Sequence, residues 1–175
     1  MIKTKCIKTA HVLLVIALLF CGLQVHSLQA IAGSQMRITE IMYDPSGDGS
    51  KEFIEFYNGG DTAVSLAGWS TFGVDFVFAP GTTLAPGSHI IITRNLNAFR
   101  AAHPSARIAG QYAGKLKGSG ELIKLLNASG QVTSQVGYTF GGAWPTSPRN
   151  GGPSLSLVRP TANETDPACW GASAT

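Results

Sequence analysis

The sequence predicts an all-β sandwich with one short helical turn. Short runs rich in β-branched and aromatic residues recur between Met36 and Val158, which is typical of strands. Turn-forming residues separate these runs at close intervals. They lie at Gly59-Gly60, Pro80-Gly81, Pro86-Gly87, Gly118-Ser119-Gly120 and Ser129-Gly130. Only one segment of this region has a helical sequence pattern, so the fold class is all-β.

The predicted elements follow from these runs in chain order. The first two strands flank a segment of turn-forming residues from Asp44 to Ser50. The predicted strands are 37–43, 51–58, 70–72, 75–78, 89–93, 121–126, 131–138 and 154–158. The helical turn is expected after Asn97, whose side chain can cap it. It must end near Pro104, because the residue before a proline avoids the helical region.

Alternation along the strands predicts which side chains share a face. Ile54 and Phe56 share one face of the second strand, and Glu55 lies on the other. In the first strand Ile38, Glu40 and Met42 are expected to be co-facial. Glu40 and Glu55 therefore each lie among apolar neighbours, either at a sheet margin in water or partly buried with a partner.

The first 32 residues have the pattern of a secretory signal. Three lysines, Lys3, Lys5 and Lys8, precede an uncharged run from residue 12 to 23. Small residues allow cleavage after Ser27 or after Ala32. The run is short for a permanent membrane span. We therefore expect an exported protein, secreted or held at the cell envelope, with no membrane span in the mature chain.

The cysteines add two expectations. A lipid anchor through Cys21 is disfavoured, because a lipoprotein signal has a small residue directly before its cysteine. Here that position holds the bulky Phe20. After cleavage only Cys169 remains, so no intramolecular disulfide can form. A mature chain of about 145 residues has the usual length of one domain and can be stabilised by its core alone.

The charge is balanced in sum but uneven along the chain. Of the 13 lysines and arginines, three lie in the signal, and the remaining ten match the ten acidic residues. Residues 36–75 hold most of the acids, whereas residues 76–160 are basic. Either the two halves interleave in the fold, or the domain is bipolar. The basic candidates for a binding surface are Arg94, Arg100, Arg107, Lys115, Lys117 and Lys124.

Several motifs occur in an order that resembles a known family. The early ones are the strand ending at Tyr43, then Glu52 to Asn58, then Gly68-Trp69. Later ones are Leu84-Ala85-Pro86-Gly87, Gly120-Glu121-Leu122-Ile123-Lys124-Leu125, Ala143-Trp144-Pro145 and Asp166-Pro167-Ala168-Cys169-Trp170. Together they are similar to the lamin-tail domain (LTD) as bacterial secreted proteins carry it, over residues 36–173. One departure is Asn150, where that pattern has an acidic residue.

The resemblance implies an immunoglobulin-like β-sandwich and a non-enzymatic module. In nuclear lamins this module serves protein and chromatin contacts, and bacterial copies accompany surface proteins and secreted hydrolases. It implies here a secreted binding or structural module at the cell surface or outside the cell. The expected partner is a protein or an envelope polymer, with nucleic acid a weaker alternative. A shared fold does not itself transfer a ligand.

Catalytic and metal-binding patterns are sparse. The mature chain has two histidines, His89 and His103, and no Ser-His-acid pattern or zinc spacing. We therefore expect no cofactor. A weak calcium candidate is formed by three acids around the first loop, Asp44, Asp48 and Glu52, which could supply oxygen ligands. The simpler interpretation is that Asp44 and Asp48 organise turns.

Two further hypotheses remain open. Glu40 and Glu55 could approach each other across adjacent strands and act as the paired carboxylates of a hydrolase. Alternatively, the acidic and basic halves could drive charge-dependent polymer binding or self-association. The tryptophans Trp69, Trp144 and Trp170 are expected to fill the sandwich core rather than to form a ligand platform.

Overall fold

The computed structural model describes residues 36–173. This part of the chain contains short strands, one α-helix and one 3-10 turn. In chain order they are β1 (Met36–Met42), β2 (Phe53–Asn58), β3 (Val64–Ser65), β4 (Ser70–Phe72), β5 (Thr83–Leu84), β6 (His89–Thr93), α1 (Leu96–Ala102), β7 (Ile108–Gln111), β8 (Gly120–Leu126), β9 (Val132–Thr139), β10 (Leu155–Leu157), the 3-10 turn (Pro167–Cys169) and β11 (Trp170–Ala172).

The strands form two main sheets and one small one. The larger sheet has the order β11-β10-β1-β2-β6-β7, and the second has the order β4-β8-β9. Strands β3 and β5 pair separately. All pairs are antiparallel except β6 with β7, which α1 connects as a crossover. The result is an immunoglobulin-like β-sandwich, which confirms the predicted fold class.

The core contains inward side chains of both main sheets. The larger sheet contributes Ile38, Ile41, Ile54, Phe56, Ile90 and Ile92, and the smaller contributes Ile123, Leu125, Val136 and Tyr138. The three tryptophans belong to the same cluster, which confirms their predicted core position. Trp144 and Trp170 lie with ring centroids 6.0 Å apart. The aliphatic and aromatic alternation in the sequence thus places one apolar face of each sheet against the other.

A β-bulge in β1 corrects the predicted faces of that strand. Opposite β2, the register shifts between Ile38 and Glu40, so Thr39 is an extra residue. Ile38 points into the core, whereas Glu40 and Met42 lie on the outer face. The prediction that these three side chains are co-facial is therefore wrong. At the bulge, the Ile38 N–H donates to the Ser134 hydroxyl at 2.9 Å.

The helix begins two residues earlier than predicted. Asn95, not Asn97, is the N-cap, and its side-chain oxygen accepts from the Ala98 N–H at 3.0 Å. The helix ends at Ala102, close to the predicted end before Pro104. Its buried Phe99 packs on Phe53, with ring centroids 5.2 Å apart. Helix α1 therefore covers part of the outer face of the larger sheet.

The shortest strands depart from the prediction. Residues 75–78 form no strand; Asp75 and Val77 make isolated bridges to Ala113 and Ser70. Strands β3, β5, β7 and β11 were not predicted, and none is longer than four residues. Such short segments pair because of where the fold places them, and local sequence preference contributes little.

The predicted signal segment lies outside the described residues, as do both proposed cleavage sites and Cys21. Within residues 36–173, no helix has the length and apolar character that crossing a bilayer requires.

Candidate functional site

The outer face of the larger sheet carries an open depression of about 510 Å³. Strands β1 and β10 form its floor, and the loops before β2 and β10 form its rim. The polar lining consists of Glu40, Lys51, His103, Ser154, Ser156 and Ser173. The apolar lining consists of Met42, Pro45, Phe53 and Pro153. A concave surface with both kinds of wall has the character of a ligand site.

The two predicted carboxylates are direct neighbours beside this depression. Glu40 of β1 pairs in register with Glu55 of β2, which confirms that they approach across adjacent strands. Glu55 has its own partners: its Oε1 accepts from the Thr39 hydroxyl at 2.7 Å and lies 2.8 Å from His89 Nδ1. The His89 ring in turn lies beside Tyr57, at a centroid distance of 4.7 Å. Neighbouring side chains therefore already provide Glu55 with polar partners.

Glu40 is held by the Ser154 hydroxyl instead of a cation. Ser154 donates to Glu40 Oε1, and the Ser154 oxygen lies 2.8 Å from the Ser173 hydroxyl. Burial raises the pKa of the Glu40 carboxyl, and the negative charge of Glu55 raises it further, whereas the Ser154 hydrogen bond lowers it. Within residues 36–173, Glu40 forms no ion pair. The depression thus has a half-buried carboxylate with unused acceptor capacity.

Glu52 has a structural role. Its side chain is buried and accepts from Arg94 Nη1 at 2.8 Å, from the Leu116 N–H at 2.8 Å and from the Tyr112 hydroxyl at 3.2 Å. Burial and the Glu52 charge both raise the pKa of the Tyr112 hydroxyl. This network ties the start of β2 to the end of β6 and to the segment after β7.

The other two calcium candidates organise loops. Asp48 accepts from the Ser50 N–H at 2.9 Å. Asp44 accepts from the Asn150 N–H at 2.8 Å, and Asn150 adopts a left-handed conformation with φ of 58°. Asparagine tolerates that conformation better than most residues, which gives a backbone role to the position that departs from the family pattern. Among residues 36–173, no three acidic, histidine or cysteine side chains are grouped to hold a metal. The expectation of no cofactor and the weak calcium alternative both stay predictions.

The six basic candidates lie at several separate places in the described part of the chain. Arg94 and Lys115 line a smaller depression of about 300 Å³ with Glu52, and Lys117 lines another with Glu121. Arg107 donates to the Thr83 carbonyl. The Lys124 ammonium lies 5.4 Å from the centre of the Phe72 ring, and Arg100 lies in the last turn of α1. The Glu52–Arg94 pair joins the two halves of the sequence, which favours interleaved charges.

Glu164 is a buried acid that the sequence did not single out. It accepts from the Ser134 hydroxyl at 2.8 Å and from the Gln135 N–H at 3.2 Å, and its carbonyl accepts from the Trp170 indole at 2.9 Å. Burial raises the pKa of its carboxyl, against the lowering effect of the Ser134 hydrogen bond. It links β9 to the segment before β11 next to the bulge of β1.

The lining serines were also missed. Ser154 and Ser156 lie in the predicted strand 154–158, but no binding role was predicted for them or for Ser173. They lie near Glu40 because β10 pairs with β1 and β11 pairs with β10. No signal in the sequence indicates this, because the strands that carry these serines are far from β1 along the chain.

Comparison with known proteins agrees with the observed fold. The family model of the lamin tail domain matches residues 29–140. The match covers 112 of the 175 residues and ends after β9, so the extension of the resemblance to Ser173 stays a prediction. No curated protein matches the chain. The family is one of immunoglobulin-like, non-enzymatic binding or structural modules. The chain belongs to the lamin tail domain family.

Proposed function

We propose that this protein is an exported, non-catalytic module that binds a partner through the depression on the outer face of its larger sheet. The observation that carries the proposal is the half-buried Glu40 carboxylate at the floor of that depression, next to apolar walls. The sandwich core does not use this carboxylate. A polar group that the core does not need, placed in a concave surface, is a common feature of recognition sites.

The size and chemistry of the depression suit a small part of a larger partner. Its volume of about 510 Å³ lies in the usual range of ligand pockets, about 300–1,000 Å³. Helix α1 covers the neighbouring part of the face through Phe99 and leaves this part open. A protein side chain or one unit of an envelope polymer would fit there.

We also propose where the protein acts and which class of partner it binds. The signal pattern of residues 1–32 supports export, either into the medium or to the cell envelope. The motif order supports the bacterial secreted type of the family. A protein or an envelope polymer is the expected partner. Nucleic acid is less favoured, because Arg94 is engaged by Glu52 and the basic side chains are dispersed.

The hydrolase hypothesis has one supporting observation, the direct pairing of Glu40 with Glu55. Against it, Glu55 Oε1 already accepts a hydrogen bond from Thr39 and contacts His89. These contacts leave the Glu55 carboxylate poorly placed to act on a substrate. Glu55→Gln is therefore expected to lower stability and to leave any hydrolytic turnover unchanged. A loss of turnover at an unchanged melting temperature would favour the hydrolase.

The proposal is tested by partner capture with two matched variants. The mature chain from Gly33 is immobilised and exposed to an envelope extract of the producing organism, with elution by a salt gradient. Ser156→Trp fills the depression, and Gln135→Trp places the same ring on the exposed face of β9 in the other sheet. We expect Ser156→Trp to lose a component that the parent protein and Gln135→Trp both retain. Equal capture by all three proteins would contradict the proposal.

A further inference from the structure

We infer that the depression accepts the ammonium group of a lysine side chain from a partner protein, with Glu40 as its counter-charge. This inference rests on the proposed function and names the chemistry that the site recognises. It is carried by the pairing of Glu40 with Glu55, the direction of the serine hydroxyls and the arrangement of the walls.

The floor of the depression brings two carboxylates side by side. Glu40 and Glu55 face each other directly across β1 and β2, and like charges in that position destabilise a sheet. His89 Nδ1 lies 2.8 Å from Glu55 Oε1. Glu40 has no such partner among residues 36–173. A cation from outside would complete a second pair beside the first.

The hydrogen bonds at the floor leave acceptor capacity open. The Ser154 proton is directed to Glu40 Oε1, and the Ser173 hydroxyl lies in hydrogen-bonding distance of the Ser154 oxygen. The proton of Ser154 is therefore committed inside the site. What remains open at the floor is mainly the acceptor capacity of Glu40, whose Oε2 has no partner among the described residues. An ammonium group, with three donors and no acceptor, matches that need.

The walls of the depression suit the aliphatic stem of a lysine. Met42, Phe53, Pro45 and Pro153 line the same depression and would contact the four methylene groups of a lysine. Two other basic groups line it, Lys51 and His103. Lys51 is exposed, so its flexible side chain can turn towards a backbone carbonyl or an acidic residue next to the bound lysine. The expected partner segment is thus a lysine with an acidic neighbour.

The inference is tested with three blocked tripeptides of sequence acetyl-Asp-X-Ala-amide. Position X is lysine, N-ε-acetyl-lysine or norleucine. All three keep the aliphatic stem of the side chain, and only lysine is positively charged. Binding to the mature chain is followed by NMR through the Met42 methyl group and the Ser154 and Ser173 amides. We expect the lysine peptide to bind about tenfold or more tightly than the other two, as loss of a charged hydrogen bond implies. Its affinity should rise as pH increases through the titration of Glu40, which Glu55, His89, His103 and Lys51 face from the neighbouring elements.

Matched variants make the test specific. Glu40→Gln is expected to weaken binding of the lysine peptide about tenfold. Asp61→Asn, which removes an exposed carboxylate beyond the opposite end of β2, should leave it unchanged. If Glu40→Gln does not fold, Ser156→Trp provides the same loss without altering either carboxylate. Equal affinity for the lysine and norleucine peptides would overturn the inference.

The outcome also separates this inference from the proposed function. If a disaccharide or the acetylated peptide shifts the same signals and the lysine peptide does not, the cation claim fails while the depression remains a binding site. If no peptide binds but Ser156→Trp still abolishes partner capture, the cation claim again fails alone. If Ser156→Trp captures as the parent protein does, the proposed function fails with it.

Discussion

Replacement of Glu52 by alanine is the sharpest test of how the loops are held. The side chain is 4% exposed and accepts hydrogen bonds from Arg94, Tyr112 and Leu116. In the variant, the Leu116 N–H and the Tyr112 hydroxyl lose their partner inside the protein. The Arg94 guanidinium loses its carboxylate, although it keeps a 3.2 Å contact with the Asp48 carbonyl.

The expected cost follows from these contacts. Removal of one partner of a buried ion pair usually costs about 3–5 kcal/mol. The Arg94 side chain is 33% exposed, so water compensates part of its lost charge pair. We therefore expect the free energy of unfolding to fall by about 3 kcal/mol, the lower end of that range. Glu52→Gln, which keeps the size and one acceptor, should cost about half as much.

Urea denaturation at pH 7 measures this effect. With a slope of about 2 kcal/mol/M, the midpoint of Glu52→Ala should fall by about 1.5 M at an unchanged slope. The control is Asp61→Ala, an exposed site where we expect a change within about 0.5 kcal/mol. A loss below about 1 kcal/mol for Glu52→Ala would refute the structural role assigned to this network.

Three further predictions concern the other carboxylates. In an NMR titration, Glu55→Gln should lower the pKa of Glu40, because it removes a nearby negative charge. Ser154→Ala should raise the pKa of Glu40, because it removes a hydrogen bond to the carboxylate. Shifts of the opposite sign would contradict these causes. The pKa of Glu164 is raised by burial, so its contribution to stability is complete below the pKa of the unfolded chain and is lost as pH rises through the folded pKa. The stability of the parent protein, measured relative to Glu164→Gln, should therefore decline from about pH 4 upwards, and a constant difference would exclude this. The melting temperature should be the same in excess chelator and in millimolar calcium, because Arg94 already pairs with Glu52; a rise with calcium would restore the calcium hypothesis.

The sequence predicts the parts of the fold that depend on local pattern. Alternation in β2 places Ile54 and Phe56 in the core, as observed. The loop signals around Asp44 and Asp48 identify turns that these side chains do organise. The family resemblance predicts the sandwich itself. These features are readable because each depends on residues close together in the chain.

The sequence predicts the two carboxylates of the site but not the contacts around them, because these contacts join residues that are far apart in the chain. The bulge at Thr39 places Glu40 on the outer face, and Ser134, 96 residues away from Ile38, supports it. Ser154, which donates to Glu40, lies 114 residues away from it along the chain. Strict alternation therefore placed Ile38 on the same face as Glu40 and Met42, which is wrong, whereas the expectation that Glu40 and Glu55 approach across adjacent strands is confirmed.

The most direct test of the account is site-specific photo-cross-linking in the producing cells. A photoreactive residue is introduced at Ser156, in the depression, and in a second protein at Gln135, on the other sheet. The account predicts a defined cross-linked adduct from position 156 and none from position 135, and Glu40→Gln should reduce the adduct. An adduct from position 135 alone would contradict the claim that the larger sheet carries the binding site.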